Sequence, residues 1–113
     1  MEVRAVGRFK RVSPRKARRV IDLVRGKRYG EAQGILKNLA SPTAETLLKI
    51  LQSAGANAEH NHEADLDECW VKSCQVDESK TWRNTWRFRA RGRPDRLSKR
   101  RSHVTMLLSD EAE

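Results

Sequence analysis

No run of apolar residues in this 113-residue chain is long enough to span a bilayer. The opening residues Met1-Glu-Val-Arg-Ala-Val-Gly lack the apolar core of a signal peptide, and Glu2 argues against a transit peptide. The protein is therefore expected to stay where it is made, with no membrane partner. Cysteine is scarce: only Cys69 and Cys74, close together on one predicted strand. An extended strand holds two such residues too far apart for a bridge unless it kinks, so reduced thiols are expected. Glycine is sparse too. The only glycine-rich fragment, Arg91-Gly92-Arg93-Pro94, is no P-loop or dinucleotide-binding turn, and no serine sits in a nucleophile elbow. Acid is also in deficit, with 15 Asp and Glu against 24 Lys and Arg and a formal charge of +9. That balance favours nucleic acid or another polyanion as partner.

The positive charge is concentrated in residues 80–101, KTWRNTWRFRARGRPDRLSKRR, whose one acid is Asp95. In its first half Trp82, Asn84, Trp86, Phe88 and Ala90 alternate with Arg83, Thr85, Arg87, Arg89 and Arg91. Period two is the strand period, so an extended arm carries aromatics on one face and guanidinium groups on the other. Its like charges repel and its apolar surface is too small for a core, so full order is expected only against a polyanion. Arginine forks onto phosphate oxygens, and Trp82, Trp86 and Phe88 are candidates to stack on unpaired bases. The alternatives are a mobile basic loop, and aromatic rings packed across the hairpin on one another or on the opposite arm. The flanking segments 69–77 and 102–109 read as strands. If they pair, the intervening chain turns near Ala90–Gly92, where Gly92 and Pro94-Asp95 supply turn chemistry. The hairpin would project on the order of 35 Å at about 3.3 Å per residue.

The rest of the chain reads as one small domain, its globular part spanning about 1–77 and 102–113, with the extension at 78–101. Residues 3–9 alternate Val3, Ala5, Gly7 and Phe9 with Arg4 and Arg8, an edge strand with a basic outer face broken only by Val6. Ser13-Pro14 opens a first helix, Ser13 as cap and Pro14 at its first position. Ala17, Val20, Ile21 and Val24 form its buried stripe, and Gly26 ends it. Arg15 and Arg19 point away from that stripe, with Lys16 and Arg18 on its flanks. Cations in a first turn oppose the helix dipole, a conflict that a bound phosphate removes; ordinary solvated cations are the alternative. A second helix is predicted over 29–39. Ser41-Pro42 opens the third and longest, with a stripe of Ala44, Leu47, Leu48, Leu51, Ala54 and Ala58, running out near Asn61. Gly55 within it costs up to about 1 kcal/mol relative to Ala, which a close backbone contact would explain. Residues 62–68 form an acidic connection, and 110–113 an acidic end.

Two chemical readings compete with nucleic-acid binding. His60, His62, Cys69 and Cys74 invite zinc, but His-x-His followed by Cys-x4-Cys is not a common finger spacing. Solvated histidines and buried thiols are the plainer reading, and neither metal nor cofactor is expected. Glu59, Glu63, Asp65, Asp67 and Glu68 could hold magnesium in a small nuclease, yet no pocket signature accompanies them, and no enzymatic activity is expected. Within the binding class, a free regulator of a messenger RNA is one reading.

Taken in order, SPRKARRVIDLVRGK at 13–27, LQSAGANAEHN at 51–61, VDE at 76–78, RARGR at 89–93 and KRRSHVT at 99–105 resemble the large-subunit ribosomal protein L-twenty-two family in its bacterial form. The resemblance runs from about residue 4 to 109. It implies an α+β fold, with three helices on a three-stranded antiparallel sheet and a long β-hairpin extension. It implies a structural, cytoplasmic component of the large subunit that binds large-subunit rRNA at several segments and aids early assembly. Neighbouring large-subunit proteins would be partners. The hairpin would line the nascent-peptide exit tunnel, with nascent peptide and macrolides near its tip. Arg89, Ala90, Arg91, Gly92 and Arg93 match the tip motif, Arg15, Lys16 and Arg19 the basic face of the first helix, and Lys99, Arg100, Arg101, Ser102 and His103 the returning arm. Lys10, Arg11, Ser13, Lys80, Arg83, Arg87 and Arg96 complete the expected RNA-binding set. The chain departs from the family where Ser79-Lys80 replaces the usual Gly-Pro and Arg87-Phe88 stands in place of a proline before the tip. Its outgoing arm is one residue longer, and Trp82 and Trp86 replace smaller or aliphatic residues.

Overall fold

The computed structural model describes residues 2–80 and 83–110, and for 83–85 and 96–99 only the backbone. Strand β1 (Glu2–Lys10) is followed by helices α1 (Pro14–Val24), α2 (Tyr29–Asn38) and α3 (Pro42–His62). A 3-10 turn (Leu66–Glu68) leads into β2 (Trp70–Glu78). The hairpin strands β3 (Arg83–Phe88) and β4 (Pro94–Lys99) flank a second 3-10 turn (Ala90–Gly92), and β5 (Ser102–Ser109) closes the chain. The expected α+β class holds, with three helices against an antiparallel three-stranded sheet, order β1-β5-β2, and a separate two-stranded ribbon, β3-β4. Among the described residues no helix is long and apolar enough to cross a membrane.

β5 is the central strand because it alone is flanked on both sides, and one face of it, Val104, Met106 and Leu108, is wholly buried. β1 contributes Ala5, β2 contributes Val71, Cys74 and Val76, and the helices close the core with Ile21, Val24, Leu36, Leu47 and Leu51. Each valine, leucine, isoleucine and methionine among these stabilises the fold by about 1.5–3 kcal/mol through burial. In α1 the buried positions are Pro14, Ala17, Ile21 and Val24, as helical spacing predicts, with Val20 at the margin. Ser13 and Ser41 stand at the N-caps, but neither side chain makes a capping hydrogen bond. Their carbonyls accept the first helical N–H groups, from Ala17 at 3.0 Å and Glu45 at 3.3 Å, and proline at the first position supplies the start. Gly26 adopts φ +78°, and its N–H donates to the Val71 carbonyl at 3.0 Å, turning the chain out of α1 beside β2.

Gly55 has a tertiary reason. A Cβ there would lie 2.6 Å from the Tyr29 Oη and 2.8 Å from two ring carbons, so the buried ring of α2 rests on bare α3 backbone. The expected close contact comes from a side chain.

Beyond Glu78, which pairs with Ser102, the chain leaves the three-stranded sheet. The ribbon pairs Arg83 with Lys99 through to Phe88 with Pro94. The sheet pairs Glu78 with Ser102 and the ribbon pairs Arg83 with Lys99, so the register changes at the root. The molecule measures 61 × 24 × 22 Å, a shape that fits a ribbon projecting from a small body.

Candidate nucleic-acid interface

On the ribbon the strand alternation is uncovered on both faces. Trp86 is 71% and Phe88 83% exposed, which disposes of the cross-hairpin packing alternative for these two rings. Arg87, Arg89, Ala90, Arg91, Gly92 and Arg93 are exposed, as are Lys80 and Arg100 at the root. Trp82 lies outside the described residues, and so do the side chains of Arg83, Arg96 and Lys99. The tip turns where the sequence places it. Arg89 N–H donates to the Arg93 carbonyl at 2.7 Å, and Arg91 takes a left-handed φ of 61°. The arm's one acid fastens this turn, with Arg89 Nε 2.7 Å from Asp95 Oδ2. An exposed pair of this kind contributes about 0–1 kcal/mol.

The cations of α1 and its C-cap residue Arg25 divide into two groups. Arg18 Nη2 donates to the Val76 carbonyl and Arg25 Nη2 to the Cys74 carbonyl, each at 3.0 Å, so these two clamp the helix onto β2. Arg25 also pairs with Asp22 at 2.7 Å. Arg15, Lys16 and Arg19 are exposed. The first turn of α1 holds no acid, so Arg15 and Lys16 sit unbalanced beside the positive end of the helix dipole, where an anion would relieve them.

Between arm and helix lies the root. Lys10 and Ser13 are partly buried and Arg11 is exposed. Ser102 is wholly buried and its Oγ donates to the Val12 carbonyl, so this hydroxyl is used inside the fold. Arg101 is half-buried; its Nε and the Ser79 hydroxyl are buried without a hydrogen-bond partner among the described residues. His103 accepts a hydrogen bond at Nδ1 from the Phe9 N–H, 3.1 Å away.

Phe9 is the residue that alternation misplaces. Following Val3, Ala5 and Gly7, it is expected to face inward. The pairing instead runs from Gly7 opposite Val104 to Lys10 opposite Ser102, so β1 carries an extra residue, a bulge. Phe9 takes φ +54° and its ring is turned outward, 53% exposed. Its ring meets His103 edge to face, centroids 4.7 Å apart and planes at 78°. The outward Val6, already out of pattern, was the only hint in the sequence.

The residues of the competing readings are scattered. His60 and His62 are exposed at the end of α3, while Cys69 and Cys74 are buried free thiols. Cys69 Sγ donates to the Asp65 carbonyl at 3.4 Å. Burial pushes the Cys74 thiol up to about 11, with Arg25 opposing weakly. Asp65 uses a carboxylate oxygen to accept the Asp67 N–H at 3.0 Å. Among the described residues no group of three or more His, Cys, Asp or Glu is placed to hold a metal ion.

Comparison with known proteins fits this geometry. A family model described as ribosomal protein L22p/L17e matches residues 5–109. A protein of Halothermothrix orenii named large ribosomal subunit protein uL22 is 47% identical over 113 residues, covering 100% of this chain and 99% of that one. Proteins of the same name from Pelotomaculum thermopropionicum and Thermomicrobium roseum are 44% and 48% identical, covering 100% and 97% of this chain and 99% and 92% of their own lengths.

Proposed function

Because the chain belongs to the ribosomal protein L22p/L17e family, we propose that it is a structural, non-catalytic component of a bacterial large ribosomal subunit, working in the cytoplasm. It binds large-subunit rRNA at several separated segments, aids early assembly, and lies beside neighbouring large-subunit proteins. Its hairpin reaches along the nascent-peptide exit tunnel. The tip residues Arg89, Ala90, Arg91, Gly92 and Arg93 line the wall there, near nascent peptide and macrolides.

The observation that carries this reading is the ribbon: a two-stranded projection with Trp86, Phe88 and a row of arginines exposed. Such a surface gains little from burial within its own chain. Against RNA its guanidinium groups neutralise phosphates and its rings stack on unpaired bases. Arg15, Lys16 and Arg19 of α1, Lys10, Arg11 and Ser13 before it, and Lys80, Arg87, Arg100, Arg101 and His103 along the arm extend the contact over the body. Arg83, Arg96, Lys99 and Trp82 belong to the same proposed surface by their place in the sequence. Ser102 holds the root together from inside.

Filter binding to a large-subunit rRNA transcript over a salt series tests the reading. The logarithm of affinity should fall linearly with the logarithm of salt, with a slope of several units. A flat response, or a protein that stays at the top of a gradient while large subunits sediment, rejects it.

A further inference from the structure

The root of the hairpin carries a built feature that the charge pattern does not address. A phenylalanine in the left-handed region is a backbone outlier, and such conformations persist where the surroundings hold them. Here the hold is visible: Phe9 N–H donates to His103 Nδ1 at 3.1 Å, and the two rings meet at 78°. The result is an exposed aromatic ring where alternation would bury one. Since Nδ1 accepts, the neutral imidazole carries its hydrogen on Nε2, a remaining donor. The hollow beside the two rings, about 330 Å³, is completed by Val6 and Arg8. Perpendicular rings form a corner, so a flat group lying on one presents its edge to the other.

We propose that this corner receives one unpaired RNA base, stacked on Phe9, with His103 holding the ring in place and Arg8 facing the attached phosphate. The proposal rests on the RNA-binding reading above and adds to it a base-sized site on the body, apart from the ribbon. Charge selects this occupant over an apolar side chain of a protein neighbour. Arg8 lines the hollow, Arg4 and Arg11 are exposed nearby in sequence, and the chain as a whole is +9. Rings bordered by arginine suit nucleobases, whose π faces stack on aromatic side chains.

The test uses the full chain and a naked large-subunit rRNA transcript, with Phe9→Ala, Phe9→Leu and Phe9→Tyr compared by filter binding over the same salt series. Thermal unfolding of each variant checks that the body is intact. Phe9→Ala and Phe9→Leu should each weaken binding roughly five-fold or more. The salt slope should stay that of the parent because no cation is lost. Phe9→Tyr should bind as the parent does. A Phe9→Leu variant that binds like the parent overturns stacking, since leucine keeps the apolar bulk without a π face. A Phe9→Ala variant that binds naked RNA normally overturns the site, even if it enters subunits poorly, because the patch would then face a protein. In both cases a steep salt slope for the parent leaves the RNA-binding reading standing; a parent without that slope removes both.

Discussion

In β1, and along 86–88 of the ribbon, side chains alternate between two faces, but only β1 has a layer of helices beneath it. There the pattern separates Val3, Ala5 and Gly7, buried, from Glu2, Arg4 and Val6, exposed. In the ribbon Trp86 and Phe88 are exposed, and so is Arg87 between them. Period two thus creates a core only where a second surface is present to receive one face. Arginine shows the same contrast. On the body Arg18 and Arg25 are spent on carbonyls of β2, whereas on the ribbon Arg89 meets an exposed aspartate and Arg87, Arg91 and Arg93 face solvent.

The largest test of this contrast is to delete apolar side chains from each region. Leu51 is fully buried between helices and sheet. Leu51→Ala should lower unfolding stability by about 2–5 kcal/mol, read as a drop in the urea midpoint. Trp86→Ala removes a larger side chain but should leave that midpoint within about 0.5 kcal/mol, while weakening rRNA binding. Equal losses of stability would show that the ribbon packs on the body and would erase the distinction.

A smaller effect should appear only in the body, through the Cys74 thiol. Burial raises it to about 11, above the ordinary value of 9.0. A thiol that ionises less readily when folded lends stability that is whole below pH 9.0 and is lost as pH rises toward about 11. The urea midpoint should therefore be flat near neutrality and fall above about pH 9, less steeply in Cys74→Ala. Parallel curves for parent and variant would show that the thiol is hydrated in the fold.

Helix and strand identity, the turn at Ala90–Gly92 and the buried stripes of α1 and α3 were legible because they depend on local periodicity and on turn and helix-start residues. What was not legible depends on contacts across the chain. Ser102 reads as an arm residue, yet Val12 draws its hydroxyl inward. Gly55 reads as a flaw in α3 until the Tyr29 ring is laid on it. Phe9 reads as core because alternation cannot foresee a bulge, and what holds its new direction, His103, is ninety-four residues away. Arg18 and Arg15 carry the same charge, and only the position of the Val76 carbonyl separates them.

That last pair offers the finest test, because the two substitutions are chemically identical and lie on one helix. Arg18 Nη2 donates to the Val76 carbonyl, a bond between α1 and β2, so Arg18→Ala should cost about 1 kcal/mol of stability. Any charge of Arg18 that reaches RNA is secondary to that clamp, and the slope of rRNA affinity against salt should stay near the parent's. Arg15 is exposed in the first turn, where its charge opposes the helix dipole. Arg15→Ala should therefore leave stability unchanged or raise it by a few tenths of a kcal/mol, and lower the salt slope by about one unit. Urea titration and filter binding on the same two variants give four numbers, and the physical claim requires them to cross. If both substitutions lower the salt slope alike, α1 presents one undivided basic face to RNA, and the division of its arginines between clamp and ligand is wrong.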